Sequence, residues 1–66
     1  MIFTLNGKEE SAAGPLSLEA LVAVRQLCPA RIVLEHNLCI IPKEDWPKIM
    51  LRENDRVEII SFVGGG

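Results

Sequence analysis

The chain has 66 residues, the length of one small domain, and such a domain buries only about 60% of its unfolded surface. This leaves no room for a deep substrate pocket beside a core, which argues against an autonomous enzyme, while 48% apolar and 24% charged residues predict a folded rather than a disordered chain. A net charge of −2 without a basic stripe argues against nucleic-acid binding, and no apolar stretch is long enough to span a bilayer.

The first predicted element is a β-hairpin. Residues 2–5 form a short β-prone run, and Asn6-Gly7 follows it. Asn-Gly favours a type I′ turn, in which both central residues need positive φ. Residues 8–12 are therefore expected to form the return strand, which Gly14-Pro15 ends.

One amphipathic helix is predicted over residues 18–27. Ser17 is a suitable N-cap, and Glu19 places a negative charge in the first turn, where it suits the helix dipole. Apolar residues recur at helical spacing through this segment. Pro29 is expected to end it, because the residue before proline avoids the helical region.

Three further strands are expected, over residues 31–35, 38–41 and 56–62. Residues 42–47 are too polar and too interrupted for a strand and suit a single helical turn, and Trp46 within them is expected to cover the edge of the core. A turn is expected at 52–55, where Asn54 tolerates positive φ. Strands mixed with one helix predict an α+β fold, with the helix packed on one face of the sheet and crossing between the first strand and the last.

Cysteines and the single histidine carry no recognisable catalytic or metal-binding pattern. Cys28 and Cys39 form no CxxC pair, and we expect two small buried thiols in a reducing cytoplasm, with a disulfide between them as the alternative. His36 has no nucleophile or carboxylate at recognisable spacing, so a surface position at a turn or strand end is expected. The scattered acidic residues are interpreted as a solvated surface: Glu9, Glu10, Glu44, Asp45, Glu53 and Asp55.

The last strand leads directly into Val63 and the terminal run Gly64-Gly65-Gly66. Glycines at a chain end do not hold a structure by themselves, so residues 63–66 are expected to form a flexible tail after a domain of residues 1–62. Extended, the tail reaches about 13 Å. Without Cβ atoms it suits a narrow channel, and it ends in the Gly66 α-carboxylate, which adenylation by ATP in a partner enzyme would activate. An incidental, frayed terminus is the alternative.

Alternation along the last strand predicts a docking surface. Val57, Ile59 and Ser61 share one face, and Ile60 and Phe62 belong to the other. If Val57 and Ile59 face the helix, Ile60 and Phe62 are exposed beside the tail, where an apolar patch can bind a partner. The alternative is that both are buried in the core.

Several of these features occur together in one known family. The chain resembles the ThiS family of sulfur carrier proteins of thiamine biosynthesis, which has the ubiquitin-like β-grasp fold. The resemblance runs through nearly the whole chain, and its specific parts are the segment Pro42-Lys43 with Trp46 and the terminal Gly-Gly. Asn54 stands where the family usually has Gly, and Lys43 where Arg is frequent.

The resemblance implies a carrier rather than an enzyme, without a bound cofactor or metal. An E1-like adenylyltransferase would adenylate Gly66 with ATP, and sulfur from a cysteine desulfurase relay would then give a C-terminal thiocarboxylate. Thiazole synthase would receive that sulfur. Gly65, and less strictly Gly64, would be needed for the tail to enter the partner's active site.

Free in the cytoplasm, the carrier is expected to be monomeric, with no signal peptide. Three other functions stay open: a sulfur carrier for molybdopterin or another sulfur-transfer pathway, a ubiquitin-like modifier joined to lysines, and a plain interaction domain.

Overall fold

A computed structural model describes residues 1–62, and its first element is the expected hairpin. Strand β1 (Ile2–Leu5) pairs antiparallel with strand β2 (Lys8–Ser11). Asn6 and Gly7 have φ of 52° and 81°, the two positive values that a type I′ turn requires. The predicted hairpin is confirmed, with its second strand one residue shorter than expected.

Helix α1 (Leu18–Val24) begins where expected but ends three residues early. The Ser17 side chain accepts a hydrogen bond from the Ala20 backbone N–H at 3.0 Å, which caps the first turn. At the other end, Gln26 has a positive φ of 59°, and Leu27 N–H donates to the Val22 carbonyl. This is a Schellman cap, so the left-handed residue ends the helix before Pro29 can.

The other elements keep the predicted order with shifted boundaries. A 3₁₀ helix (Pro29–Arg31) precedes strand β3 (Ile32–His36), because Pro29 favours a helical start. Strand β4 is only Cys39–Ile40, since Leu38 lies in a turn with φ of 74° instead of in the strand. A second 3₁₀ helix covers Lys43–Lys48, and strand β5 covers Arg56–Ser61.

The five strands form one mixed sheet in the order β2-β1-β5-β3-β4. β5 lies in the centre, parallel to β1 and antiparallel to β3. The parallel pair requires a crossover connection, and α1 lies within it. No helix within residues 1–62 is both long and apolar enough to cross a membrane.

The core lies between the sheet and the helical segments. Its buried side chains come from α1 and from alternate positions of the strands, with Leu34 and Val57 fully buried. Trp46 is 3% exposed, and its indole N–H donates to the Ile41 carbonyl at 3.0 Å. The expected helical turn and the covering role of Trp46 are therefore confirmed, and Asn54 adopts its expected positive φ of 69°.

Gln26 offers a test of the helix cap. A side chain in the left-handed region is strained, whereas glycine adopts that region freely. We expect Gln26→Gly to raise the free energy of unfolding by about 0.5–1 kcal/mol, because the relief of strain exceeds the added entropy of the unfolded chain. Urea denaturation measures the change.

Ala23→Gly is the matched control, since Ala23 is exposed on the same helix. It should lower stability by about 1 kcal/mol. Destabilisation by both substitutions would contradict the proposed strain at Gln26.

Candidate functional site at the end of β5

The predicted attachment residue, Gly66, and its neighbours Gly65 and Gly64 lie outside the described residues. The structure does define the chain that leads to them. β5 ends at Ser61, and the Phe62 backbone N–H donates to the Arg31 carbonyl at 2.9 Å. The sheet therefore holds the chain through Phe62, the last residue described.

β5 has one buried and one exposed face, as its alternation predicts. Val57 is fully buried and Ile59 packs against the core. Ile60 is 52% exposed and Phe62 is 50% exposed. The expected exposure of these two side chains is confirmed, and their role in docking stays a prediction.

The exposed apolar surface is larger than the sequence suggested. Val33 of β3 lies directly opposite Ile60, and Ile40 of β4 lies opposite Glu35, one position further along the same face. Ile40 is 68% exposed, and Val33 is half-buried. Together Ile40, Val33, Ile60 and Phe62 form what we call the outer-face strip, which runs from the edge of the sheet to the last described residue. Sequence reasoning missed Val33 and Ile40 because the strip depends on strand register.

A buried carboxylate lies at the start of β5. Asp55 is 9% exposed, which corrects the expectation that it belongs to the solvated surface. His36 Nε2 lies 2.7 Å from its Oδ2, and the Asn37 side-chain amide donates to its Oδ1 at 3.2 Å. The Arg52 backbone N–H also donates to Oδ2, at 2.9 Å. These bonds satisfy a carboxylate that would otherwise be costly to bury.

The sequence predicts a surface position for His36 with no carboxylate partner. The structure corrects this, because His36 is half-buried and bonded to Asp55. Its position at the end of β3 was predicted, but the partner lies 19 residues away along the chain. Because an ionised carboxylate only accepts hydrogen bonds, His36 Nε2 acts as the donor. The pairing of β3 with β5 brings the two side chains together, and no local sequence pattern predicts this contact.

The pKa of Asp55 lies below its usual value. Burial by itself raises this pKa, but the hydrogen bonds from His36, Arg52 and Asn37, with the charge of His36, outweigh burial and lower it. The carboxylate is therefore ionised at neutral pH. It joins the β3–β4 turn to the loop before β5 and so fixes where β5 begins.

Asparagine side chains add to this anchoring of β5. The Asn37 side-chain oxygen accepts from the Arg56 backbone N–H at 2.9 Å, and the Asn6 side-chain oxygen accepts from the Ile59 backbone N–H at 2.7 Å. Both asparagines lie in turns with positive φ, where Asn is tolerated. The two hairpin turns thus also hold the central strand.

Both cysteines are exposed and free, which corrects the expectation of buried thiols and excludes the alternative disulfide in this structure. Cys28 precedes the first 3₁₀ helix, and Cys39 lies on the two-residue edge strand, so neither is buried in the core. Among residues 1–62, no three side chains of the types that bind metals come together.

A mixed sheet of five strands with one helix across it defines a ubiquitin-like β-grasp protein, the class predicted from sequence. The fold closely matches the crystal structure of the thiamine biosynthesis protein ThiS from Geobacter metallireducens, with a TM-score of 0.84, 28% identity and full coverage of both chains. The family model of ThiS matches residues 3–66. The chain therefore belongs to the ThiS family, whose members are small sulfur carriers rather than catalysts.

Two relatives of known name are similar to this chain over nearly its whole length. The sulfur carrier protein ThiS of Bacillus subtilis is 37% identical over 65 residues, covering 94% of this chain and 96% of the relative. A thiazole synthase from Paramagnetospirillum magneticum is 30% identical over 66 residues, covering all of this chain but 20% of the relative. This chain thus corresponds to one segment of that longer protein.

The Asp55 network predicts a specific loss of stability in acid. The pKa of Asp55 is lower in the folded chain than the ordinary pKa of an aspartate. Its contribution to stability is therefore complete above that ordinary pKa and is lost as pH falls through the folded-state pKa. Asp55→Asn should cost about 1–3 kcal/mol near neutral pH, because it weakens three hydrogen bonds. The difference from the parent should shrink as pH falls from about 5 to about 2.

Urea denaturation across this pH range measures both effects, and Asp45→Asn is the control. Asp45 pairs with Lys48 at 3.5 Å on the surface, where such a pair contributes little. An Asp55→Asn difference that stays constant with pH would show that the carboxylate charge does not stabilise the fold.

Proposed function

We propose that the chain is a sulfur carrier for thiazole formation in thiamine biosynthesis, and that the Gly66 α-carboxylate carries the sulfur. The observation that supports this most is family membership over residues 3–66, which includes the terminal glycines. The central strand β5 leads the chain towards those glycines, and the Asp55 network fixes where that strand begins. The domain thereby serves as a rigid base for residues 63–66.

The chemistry requires activation, because a carboxylate is a poor electrophile. A Gly66 oxygen attacks the α-phosphorus of ATP in an E1-like adenylyltransferase, releasing pyrophosphate and forming an acyl-adenylate. The terminal sulfur of a persulfide on the cysteine desulfurase relay then displaces AMP from the acyl carbon and gives an acyl disulfide. A thiol cleaves the S–S bond of this intermediate, which releases the thiocarboxylate and leaves the thiol oxidised in a disulfide with the relay. ATP is bound by the activating partner, and the carrier itself supplies only the carboxylate.

Thiazole synthase is the proposed acceptor of the sulfur. Support comes from the Paramagnetospirillum magneticum relative, a thiazole synthase in which a segment similar to this whole chain lies within the same polypeptide. That arrangement suits two activities that work in sequence. We place this exchange in the cytoplasm, with the free carrier as a monomer.

Ile60 and Phe62 are proposed to dock on the partner enzymes while the glycines enter the active site. Both side chains are about half exposed and apolar, and Phe62 lies immediately before residues 63–66. An anchor this close to the tail limits the positions that Gly66 can reach, which raises its effective concentration at the reacting centre.

Deletion of Gly65-Gly66 tests the reacting end. The intact mass of the purified parent first establishes that the chain ends at Gly66. Incubation with the adenylyltransferase, ATP and the sulfur relay should then exchange one oxygen for sulfur in the parent and none in the deletion variant. The melting temperature should stay unchanged, because glycines at a chain end add little to stability.

Each alternative function gives a different product in the same assay. Conjugates to lysine would indicate a modifier, and transfer of sulfur to a molybdopterin precursor instead of thiazole synthase would indicate the other carrier pathway. An unmodified parent in the presence of an active adenylyltransferase would refute the carrier proposal. A large fall in melting temperature on deletion would show that the tail is packed.

Ile60→Asp tests docking. A charge in the middle of an apolar contact should raise the apparent KM of the adenylyltransferase for the carrier at least about tenfold. Val24→Asp is the matched control, since Val24 is an apolar residue 70% exposed on α1, away from the outer face of the sheet. Equal KM values for the two variants would remove Ile60 from the interface.

A further inference from the structure

Two glutamates lie opposite each other on the same face of the sheet as the outer-face strip, between Ile40 and the other residues of the strip. Glu35 of β3 and Glu58 of β5 are directly opposite in the antiparallel register, on the same face as Ile60. Ile40 of β4 lies opposite Glu35 on its other side. Both glutamate side chains are half-buried, and apolar residues of the outer-face strip are their neighbours in the strand register.

Neither glutamate forms an ion pair among residues 1–62. The ion pairs in this part of the chain join Arg25 to Glu10, His36 to Asp55 and Lys48 to Asp45. Arg56 shares the face of Glu58 two residues along β5 but does not pair with it. Like charges directly opposite each other on a sheet are destabilising. The free domain therefore places two like charges opposite each other on the face proposed for docking.

Charge complementarity indicates what would cover this face. A lysine or arginine between the two carboxylates would neutralise both, and the surrounding apolar contacts would exclude water and strengthen the attraction. The outer-face strip continues from Ile40 past this pair to Phe62, next to residues 63–66. A partner that binds the strip along its length therefore also lies close to the reacting end.

We propose that Glu35 and Glu58 together bind a basic side chain of the adenylyltransferase, within an apolar contact made by the outer-face strip. The assignment to this enzyme rests on the proposed function. That enzyme must bring together two anions, ATP and the Gly66 carboxylate, so cationic groups are expected around its carrier site. The pair thus selects the partner and costs the free carrier stability.

The double variant Glu35→Gln/Glu58→Gln tests this inference, because it should stabilise the free domain and weaken binding to the adenylyltransferase. Removal of the repulsion should raise the melting temperature by about 2–4 °C. The same change should raise the Kd for the purified adenylyltransferase at least about tenfold at an ionic strength of about 0.01 M, with a smaller ratio at about 1 M, where charges are screened. Calorimetric titration measures the Kd.

Glu9→Gln/Glu44→Gln is the matched control, because it removes the same charge from exposed positions. Glu9 lies on the outer face at the opposite edge of the sheet, and Glu44 lies in the second 3₁₀ helix. An equal loss of affinity in this control would reduce the effect to net charge and overturn the proposal. An unchanged Kd in the first variant, with a raised melting temperature, would make the pair a structural liability only and also overturn it.

Thiocarboxylate formation at saturating enzyme separates this inference from the proposed function. Normal product from both double variants, with the Kd change confined to the Glu35/Glu58 pair, supports both. Normal product with no such Kd change overturns the inference alone. Absence of product and of binding in the parent overturns both.

Discussion

The buried carboxylate of Asp55 is the interaction on which the arrangement of the central strand depends. It joins the end of β3, the turn after it and the loop before β5 through three hydrogen bonds. Its own backbone carbonyl also accepts from the Thr4 N–H of β1. One residue thus connects the three strands at the centre of the sheet, at the end opposite the exit of the chain. Everything beyond it along β5 follows from where that strand begins.

β5 contributes side chains to the core on one face and to the outer-face strip on the other, because successive residues of a strand point to opposite faces. Val57 belongs to the core, where burial of its side chain contributes about 1.5–3 kcal/mol, while Ile60 stays half exposed. A shift of one residue in register would exchange these faces and remove both the core contact and the outer-face strip. Anchoring by Asp55 and by the Asn6 side chain opposes such a shift. The position of the strip therefore depends on polar contacts that lie outside it.

Local patterns were sufficient for much of the fold. The Asn6-Gly7 turn, the Ser17 cap and the two faces of β5 each follow from a few neighbouring residues, and the structure has them where expected. The errors arise where distant segments meet. The sequence predicts a surface position for Asp55 because its partner His36 is 19 residues away, and a buried position for Cys39 because composition does not distinguish an edge strand from a central one.

The candidate site also contains some residues that the local sequence predicts and others that only strand pairing brings together. The terminal glycines and Ile60 can be predicted from the sequence, because they lie within a few residues of each other in one segment of the chain. Ile40 and the opposition of Glu35 to Glu58 could not, since they exist only after β3 and β4 pair in register. A domain of this size has a small margin of stability, commonly 5–15 kcal/mol at most. A repulsive pair retained on its exposed face is therefore difficult to explain by folding, and a partner that neutralises the pair gives it a physical reason.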